Sequence, residues 1–291
     1  MKTFSQRTKE MLSKLEIETS CCCEAEMMGI LMFAGKFRGT EIRVSLESLD
    51  AIKRFAELLK FCLGTEVQIK SLRSSYFCVL SDKKVLQKIL EYENQKSGFS
   101  QSLIKNECCS AAFLRGAFLG GGTMTDPNKN YNMEFKMYST YIHSEFKKLL
   151  ENMGLGFRTI KKNNGFVLYT KNSDIICDAL AHMGAFSAQM EILNVKIEKE
   201  VRSEITRTSN GETANMDKVM EASSRHLMAI DDIEKIMGID NLPDDLKEVA
   251  VLRRDFKDLS LEQLGKKMVP PMSKSGVNHR LKRILDIAEN L

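Results

Sequence analysis

Cys108-Cys109-Ser110-Ala111-Ala112-Phe113-Leu114-Arg115-Gly116-Ala117-Phe118-Leu119-Gly120-Gly121-Gly122 decides the fold, because a version of it has already occurred once in the chain. The earlier copy is Cys21-Cys22-Cys23-Glu24-Ala25-Glu26-Met27-Met28-Gly29-Ile30-Leu31-Met32-Phe33-Ala34-Gly35. Cys108 follows Cys21 by 87 positions, and Gly116 and Gly122 follow Gly29 and Gly35 by the same interval. Both runs are apolar, helix-like and end in glycine. Similarity at a constant offset marks a duplicated unit.

The similarity continues downstream at an offset of 91, where Ile42-Arg43-Val44-Ser45-Leu46 parallels Met133-Glu134-Phe135-Lys136-Met137. The four extra residues fall in the turn-rich Asp126-Pro127-Asn128-Lys129-Asn130. Alternation predicts a strand in each copy (Ile42, Val44, Leu46; Met133, Phe135, Met137). An amphipathic helix follows, over 49–63 and 141–153. A hairpin comes next, 67–69 with 77–80 and 157–160 with 166–169, the second turning at Asn163-Asn164-Gly165. A closing helix is predicted over 82–93 and 173–183. Gly29 and Gly116 stand mid-helix, where glycine costs about 1 kcal/mol relative to alanine. Close approach of two helix backbones offsets that cost, so the repeats are expected to meet through these helices as a pseudo-twofold pair. Gly35 and Gly122 read as helix ends.

A duplicated αββαββα unit that opens with an apolar, glycine-ended helix resembles the LAGLIDADG homing-endonuclease fold, an α+β class. Aligning 27–35 and 114–122 on that nine-residue motif puts Ala34 and Gly121 at its eighth position. Active members carry an acid there, one from each helix, to bind the divalent metals that cleave DNA. Such hard cations need oxygen ligands, and neither residue offers one. The resemblance therefore implies a scaffold without catalytic residues. Asp126 has no counterpart in the first repeat and is not assigned as a ligand. Arg43, Gln68, Lys70, Arg73, Lys136, Arg158, Lys161 and Lys162 fall on candidate strands, but Glu41, Glu66 and Glu134 are interleaved. That mixture reads as a solvated face rather than a DNA groove.

The chain's 291 residues suffice for two or three domains, and a net charge of +4 means that any nucleic-acid footprint is local. The eight cysteines include no C-x-x-C spacing, and the four histidines stand in no metal-binding frame. The cysteine doublets are read as small buried residues at helix starts, so no metal or cofactor is expected. No run is apolar for long enough to span a bilayer, and charges recur throughout the first eighteen residues. A cytoplasmic, nucleoid-associated protein is expected.

Residues 195–207 alternate in charge, and Ser209-Asn210-Gly211 reads as a turn. A helical pattern then covers 212–237, with Met216, Val219, Met220, Leu227, Ile230, Ile233 and Ile236 on its apolar face. From Pro243 three short helices are predicted. The first covers 244–255, and the second opens with Ser260 and Gln263 in a capping-box pattern. Gly265 is placed where a small residue admits close helix crossing. Pro270-Pro271 breaks the chain, replacing the usual turn glycine, and Ser273 caps the third helix. Between Glu262 and Asp286 no acid occurs, while Lys266, Lys267, Lys274, Arg280, Lys282 and Arg283 all do. Basic charge across a helix-turn-helix pattern suits phosphate docking, so double-stranded DNA is the expected partner. The start of a recognition helix reaches base edges, which assigns Lys274, Ser275 and Asn278 there. Arg280, Lys282 and Arg283 are assigned to phosphates and His279 to either, with Lys266, Lys267 and Ser273 completing the set. The resulting layout is a first repeat at 1–95, a second at 96–200, a linker and connecting helix at 201–241, and a helix-turn-helix domain at 242–291.

Ser260-Leu261-Glu262-Gln263-Leu264-Gly265, the run 270–281, Gly211-Glu212-Thr213-Ala214-Asn215 and 108–127 together closely resemble the WhiA family over nearly the whole chain. That resemblance implies a degenerate homing-endonuclease-like domain fused to a head like the fourth region of sigma factors. It also implies a transcriptional role tied to cell division, chromosome segregation or sporulation, with transcription or division proteins as further partners. Two other readings stay open at this point: a protein-interaction platform tethered to DNA by its head, and a metal-dependent endonuclease. The sequence leaves the oligomeric state open.

Overall fold

The computed structural model describes residues 2–17, 20–83, 85–87, 89, 103–104, 106–162 and 165–291. They form two compact units, Met1–Lys199 and Glu200–Leu291. The first opens with α1 (Phe4–Leu12), α2 (Ser20–Ala34), β1 (Gly35–Arg38), β2 (Glu41–Leu46), α3 (Leu49–Leu63), β3 (Lys70–Leu72) and β4 (Ser75–Leu80). The second copy runs α4 (Glu107–Gly121), β5 (Gly122–Met124), β6 (Met133–Met137), α5 (Thr140–Asn152), β7 (Arg158–Lys162), β8 (Gly165–Thr170) and α6 (Ser173–Met183). Each copy builds one antiparallel four-stranded sheet, and the strand orders β1-β2-β4-β3 and β5-β6-β8-β7 are equivalent. Gly35 pairs with Val44, whereas Gly122 pairs with Phe135. The second hairpin is therefore longer by the four residues expected from the sequence. Asp126 organises that insertion, its Oδ1 accepting the Asn128 backbone N–H at 2.9 Å.

The amphipathic helices α3 and α5 start where a serine caps them: Ser48 Oγ accepts from Ala51 N–H and Ser139 Oγ from Ile142 N–H. One strand differs from expectation. In the first repeat pairing begins at Lys70, not at 67, and Val67 and Ile69 pack on the core without joining the sheet. Side-chain alternation reports burial, and burial alone does not require a ladder. Asn163, Asn164 and much of the helix expected over 82–93 lie outside the described residues, as does the expected boundary at 95/96.

Glycine decides how the copies join. A Cβ on Gly29 would lie 2.5 Å from the Phe113 carbonyl oxygen, and one on Gly116 would lie 2.1 Å from that of Glu26. Both distances are shorter than any van der Waals contact, so α2 and α4 meet backbone to backbone. Beside the crossing, the Glu26 carboxylate accepts from Arg54 (Nε, and Nη2 at 2.9 Å) and from Arg115 Nε at 2.9 Å. Arg54 and Arg115 then donate to the carbonyls of Leu15 and Met183. A buried charge survives only when paired and hydrogen-bonded in this way. Past the crossing, Phe33 inserts edge-on against Phe146 of the second repeat, with ring centres 4.9 Å apart.

A single helix, α7 (Phe186–Ile236), follows. It runs straight through Ser209-Asn210-Gly211, which the sequence reads as a turn. Gly211 adopts no positive φ, and Thr206 and Thr208 donate to the carbonyls four residues back, keeping that stretch in helical register. One solvated glycine costs about 1 kcal/mol, too little to break so long a helix. The expected apolar face is also narrower: Ile230 and Ile233 are buried, whereas Met216, Met220 and Ile236 are exposed. The second unit ends in a 3-10 turn (Ile239–Asn241), α8 (Asp244–Asp255), α9 (Leu261–Lys267) and α10 (Lys274–Glu289). Its core joins Ala229, Ile230, Ile233, Ile239 and Leu242 to Leu246, Val249, Leu264, Met268, Val277, Leu281 and Ile284.

Two glycine substitutions should act in opposite directions. Gly116→Ala forces the helix pair apart and should cost about 2–3 kcal/mol. Gly211→Ala meets nothing and should stabilise α7 by up to ~1 kcal/mol. Urea-unfolding midpoints read both, and a neutral Gly116→Ala would contradict the crossing.

Candidate nucleic-acid interface

The head is assembled from three helices, of which the second and third start at serine caps. Ser260 Oγ accepts from Gln263 N–H at 3.3 Å while Gln263 Oε1 accepts from Ser260 N–H at 2.9 Å, a complete capping box on α9. Ser273 Oγ accepts from Gly276 N–H at 3.3 Å and fixes the start of α10. Between them, Val269–Pro270 is a cis peptide. Gly265 admits the expected close approach of α10, where a Cβ would lie 3.2 Å from Val277 Cγ2, and it also serves the turn. A Cβ there would lie 2.1 Å from the Met272 carbonyl, and Met272 N–H donates to the Gly265 carbonyl at 2.9 Å. The missing side chain thus makes room for the proline-bearing loop as it folds back onto α9.

On this frame Ser273, Lys274, Ser275, His279 and Lys282 are exposed, and Asn278 and Arg280 are half-buried. Lys266 and Lys267 project from the end of α9, both exposed. The acid-free run in the sequence is not acid-free in space. Lys266 pairs with Glu262 at 2.8 Å, and Arg283 pairs with Asp245 of α8 at 2.6 Å. Glu248 accepts the Val269 backbone N–H at 2.8 Å. Lys267 lies over the Phe256 ring, 4.2 Å from its centre.

A buried residue that the sequence did not single out supports this surface. Arg253 on α8 is 1% exposed, and its Nη1 donates to the carbonyl of Leu259 at 2.7 Å and to that of Lys257 at 3.3 Å. Ser223 Oγ from α7 also donates to the Lys257 carbonyl. One guanidinium therefore closes the α8–α9 loop. In sequence Arg253 looks like any surface arginine beside Arg254, and only its place on the Leu246–Val249–Ala250 side of α8 hints otherwise. His226 sits next to it, 6% exposed, with no partner for Nδ1 among the described residues. Burial, then the charges of Arg253 and Arg225, push its pKa down to about 4.

In the first unit, Ala34 and Gly121 are the last residues of α2 and α4. A cavity of about 480 Å³ opens beside Ala34, lined by Met32, Phe33, Lys36, Tyr138 and Ile142 among others, with no carboxylate among its described lining. At Gly121 a Cβ would lie 3.0 Å from the Phe33 ring and 3.1 Å from the Lys136 carbonyl. Asp126 is engaged in its own turn, accepting from the backbone and side chain of Asn128. Of the strand cations, Arg43 stacks on Phe77 at 3.7 Å, and Arg73 occupies a tight turn with φ 55°. Gln68 precedes β3, and Lys70, Arg158, Lys161 and Lys162 are exposed on edge strands. The cysteine doublets hold a surprise. They do occupy helix starts, but they are not all buried, and the helix crossing brings Cys21, Cys22, Cys108 and Cys109 together with all four sulfurs within 4.8 Å of one another.

Residues 110–202 match the model of the WhiA LAGLIDADG-like domain, and residues 205–288 match that of the WhiA C-terminal HTH domain. A "probable cell division protein WhiA" of Alkaliphilus metalliredigens is 33% identical, with 99% of this chain and 98% of that protein covered. Its namesake in Caldicellulosiruptor saccharolyticus is 36% identical, with 99% and 95% covered. The chain belongs to the WhiA family. A crystal structure of full-length DUF199/WhiA from Thermotoga maritima matches 100% of the chain and 99% of its own at 28% identity, with a TM-score of 0.63. The N-terminal LAGLIDADG domain of DUF199/WhiA, at 23% identity and a TM-score of 0.53, supports the fold assignment over 64% of this chain and 91% of that one. The α+β class, the LAGLIDADG-like first domain and the helical head all stand. No helix among the described residues is long and apolar enough to cross a membrane.

Because His226 has a folded pKa near 4, below its ordinary 6.5, the unfolded chain takes up a proton first as the pH falls. Its contribution is intact above pH 6.5 and is lost progressively towards pH 4. The loss amounts to ~3 kcal/mol at most. Thermal unfolding between pH 7 and pH 4.5 should show the second unit weakening, and His226→Leu should flatten that dependence. An unchanged slope in the variant would show that another group carries it.

Proposed function

We propose that this chain is a sequence-specific, double-stranded-DNA-binding transcriptional regulator that does not cleave DNA. The observation that carries the reading is the solvent-facing start of α10. Lys274, Ser275 and His279 stand exposed there, Lys282 follows within the next turns, and the helix bears no carboxylate before Asp286. A helix of this kind enters the major groove by its N-terminal turns. Lys274, Ser275 and Asn278 then face base edges, and Arg280 and Lys282 hold phosphates, with His279 serving either. Lys266, Lys267 and Ser273 contact the backbone at the turn. Lys266 and Arg283 are held by acids, but exposed ion pairs are worth at most about 1 kcal/mol, so a phosphate competes for either cation. The description of the relatives as probable cell division proteins supports a role in division, with chromosome segregation and sporulation as allied processes. Such a regulator works in the cytoplasm on the nucleoid, with transcription or division proteins as partners.

The chemistry at the ends of α2 and α4 supports the absence of cleavage. Ala34 and Gly121 supply no oxygen ligand, and Phe33 crowds the position that a carboxylate at 121 would need. The first domain then serves as a scaffold or docking platform. Excising 242–291 would also strip Ile230 and Ile233 of their packing partners, so single substitutions are the better probe.

Fluorescence anisotropy with a duplex recovered by genome-wide mapping should give binding that weakens with salt. Lys274→Ala and Lys282→Ala should each lower the salt slope by about one. Asn278→Ala should cost about 1–3 kcal/mol on the specific site and less on random duplex. Salt-independent binding, or magnesium-dependent cutting of supercoiled plasmid, would overturn the proposal.

A further inference from the structure

We propose that Cys21, Cys22, Cys108 and Cys109 bind one zinc ion that clamps the two repeats together. The thiols lie on two helices, and the crossing places all four sulfurs within 4.8 Å of one another. Zinc held by four cysteines has bonds near 2.3 Å and hence sulfurs about 3.8 Å apart, so small side-chain rotations close the site. Sulfurs this close leave room for a single ion, whereas an iron–sulfur cluster interposes several inorganic atoms between its thiolates. An all-sulfur donor set favours zinc over magnesium or calcium, which take oxygen.

Position in the fold supplies a second argument. Cys21 and Cys22 fall in the first turn of α2, and Cys108 and Cys109 in the first turn of α4. Unsatisfied N–H groups and the positive end of each helix stabilise thiolates there. The Arg115 guanidinium lines the same cavity as Cys22 and Cys108, with Arg54 and Glu26. One net positive charge from that triad partly balances the doubly negative zinc tetrathiolate. Cys109 is buried and Cys108 exposed, so the site has a floor and an entrance. A divalent cation offsets the mutual repulsion of four crowded thiolates. Binding forms four Zn–S bonds and releases four protons with no change of oxidation state.

The same helices carry the glycine crossing about two turns further on. Zinc would fix them at the end remote from Ala34 and Gly121. A metal site would thus stand at the opposite end of the helix pair from the one that lost its acids.

The test uses the full-length chain, purified under reducing conditions without chelator. Elemental analysis should find one zinc per chain. After zinc removal, cobalt(II) should give sulfur-to-cobalt charge-transfer bands and the intense visible bands of a tetrahedral thiolate site. Cys22→Ser and Cys108→Ser should each weaken zinc binding by at least about 100-fold. Cys177→Ala, on α6 and outside the cluster, should leave it unchanged. Circular dichroism confirms that each variant is folded, and exposed Cys108 gives the safest one. A reduced chain that holds no zinc and shows no cobalt bands overturns the proposal. So does undiminished binding in folded Cys22→Ser and Cys108→Ser.

Discussion

Two helix backbones touching at Gly29 and Gly116 leave the first domain only one way to assemble. A single methyl group at Gly116 would fall 2.1 Å from the Glu26 carbonyl, so α2 and α4 cannot slide or rotate without collision. Everything else in that domain takes its place from this crossing. The two sheets extend from the ends of the helix pair in equivalent order. Phe33 passes from one repeat into the aromatic core of the other. Glu26 reaches both an arginine of its own repeat and one of its neighbour. A side chain one turn out of register would leave that carboxylate buried and unpaired, which costs several kcal/mol. Close contact and charge pairing therefore select the same register.

If, as we propose, the chain does not cleave DNA, the crossing is what lets the scaffold stand without that chemistry. In a LAGLIDADG-like pair the helices are structural along most of their length and present functional side chains only at their ends. Replacing the end residues by Ala34 and Gly121 leaves the interface intact. Phe33 crowds Gly121, and the cavity beside Ala34 is bordered by Phe33, Tyr138, Ile142 and Lys36, with no carboxylate among its described lining. A carboxylate at position 121 would have to displace the Phe33 ring, which occupies the space beside Gly121.

Much of this was legible in the sequence where a local rule and the fold agree. The repeat offset, the extent of α3, the closing helix α6 and the caps at Ser260 and Ser273 each rest on short-range patterns, and each has its counterpart in the structure. The misses share a different character. Ser209-Asn210-Gly211 carries turn-forming residues, yet the helical register on either side prevails over three weak preferences. Val67 and Ile69 are apolar because they are covered, not because they pair. Gly265 was rightly marked as a close approach of helices, but besides Val277 of α10 it meets a loop carbonyl, and spacing along one helix cannot identify that second partner. The same limit applies to Glu26 and the four-cysteine cluster. Their roles exist only once distant segments meet, and no window of sequence contains both halves.

Charge in the head shows the same limit most clearly. Along the chain, residues 263–285 form a purely basic run. In space, α8 returns Asp245 and Glu248 to its border, and Glu262 reaches Lys266 from within α9. The cations thus divide into two groups. Arg283 is held against an acid of α8 and Lys266 against one of its own helix, while Lys274 and Lys282 face solvent from α10. Cation–anion pairs at a rim hold side chains in place before a polyanion arrives, which reduces the ordering left to do on contact. A uniformly basic surface would attract any polyanion in any orientation. A surface whose charges are partly neutralised and partly aimed admits fewer poses, and the sequence reading we propose for Lys274, Ser275 and Asn278 would require that restriction.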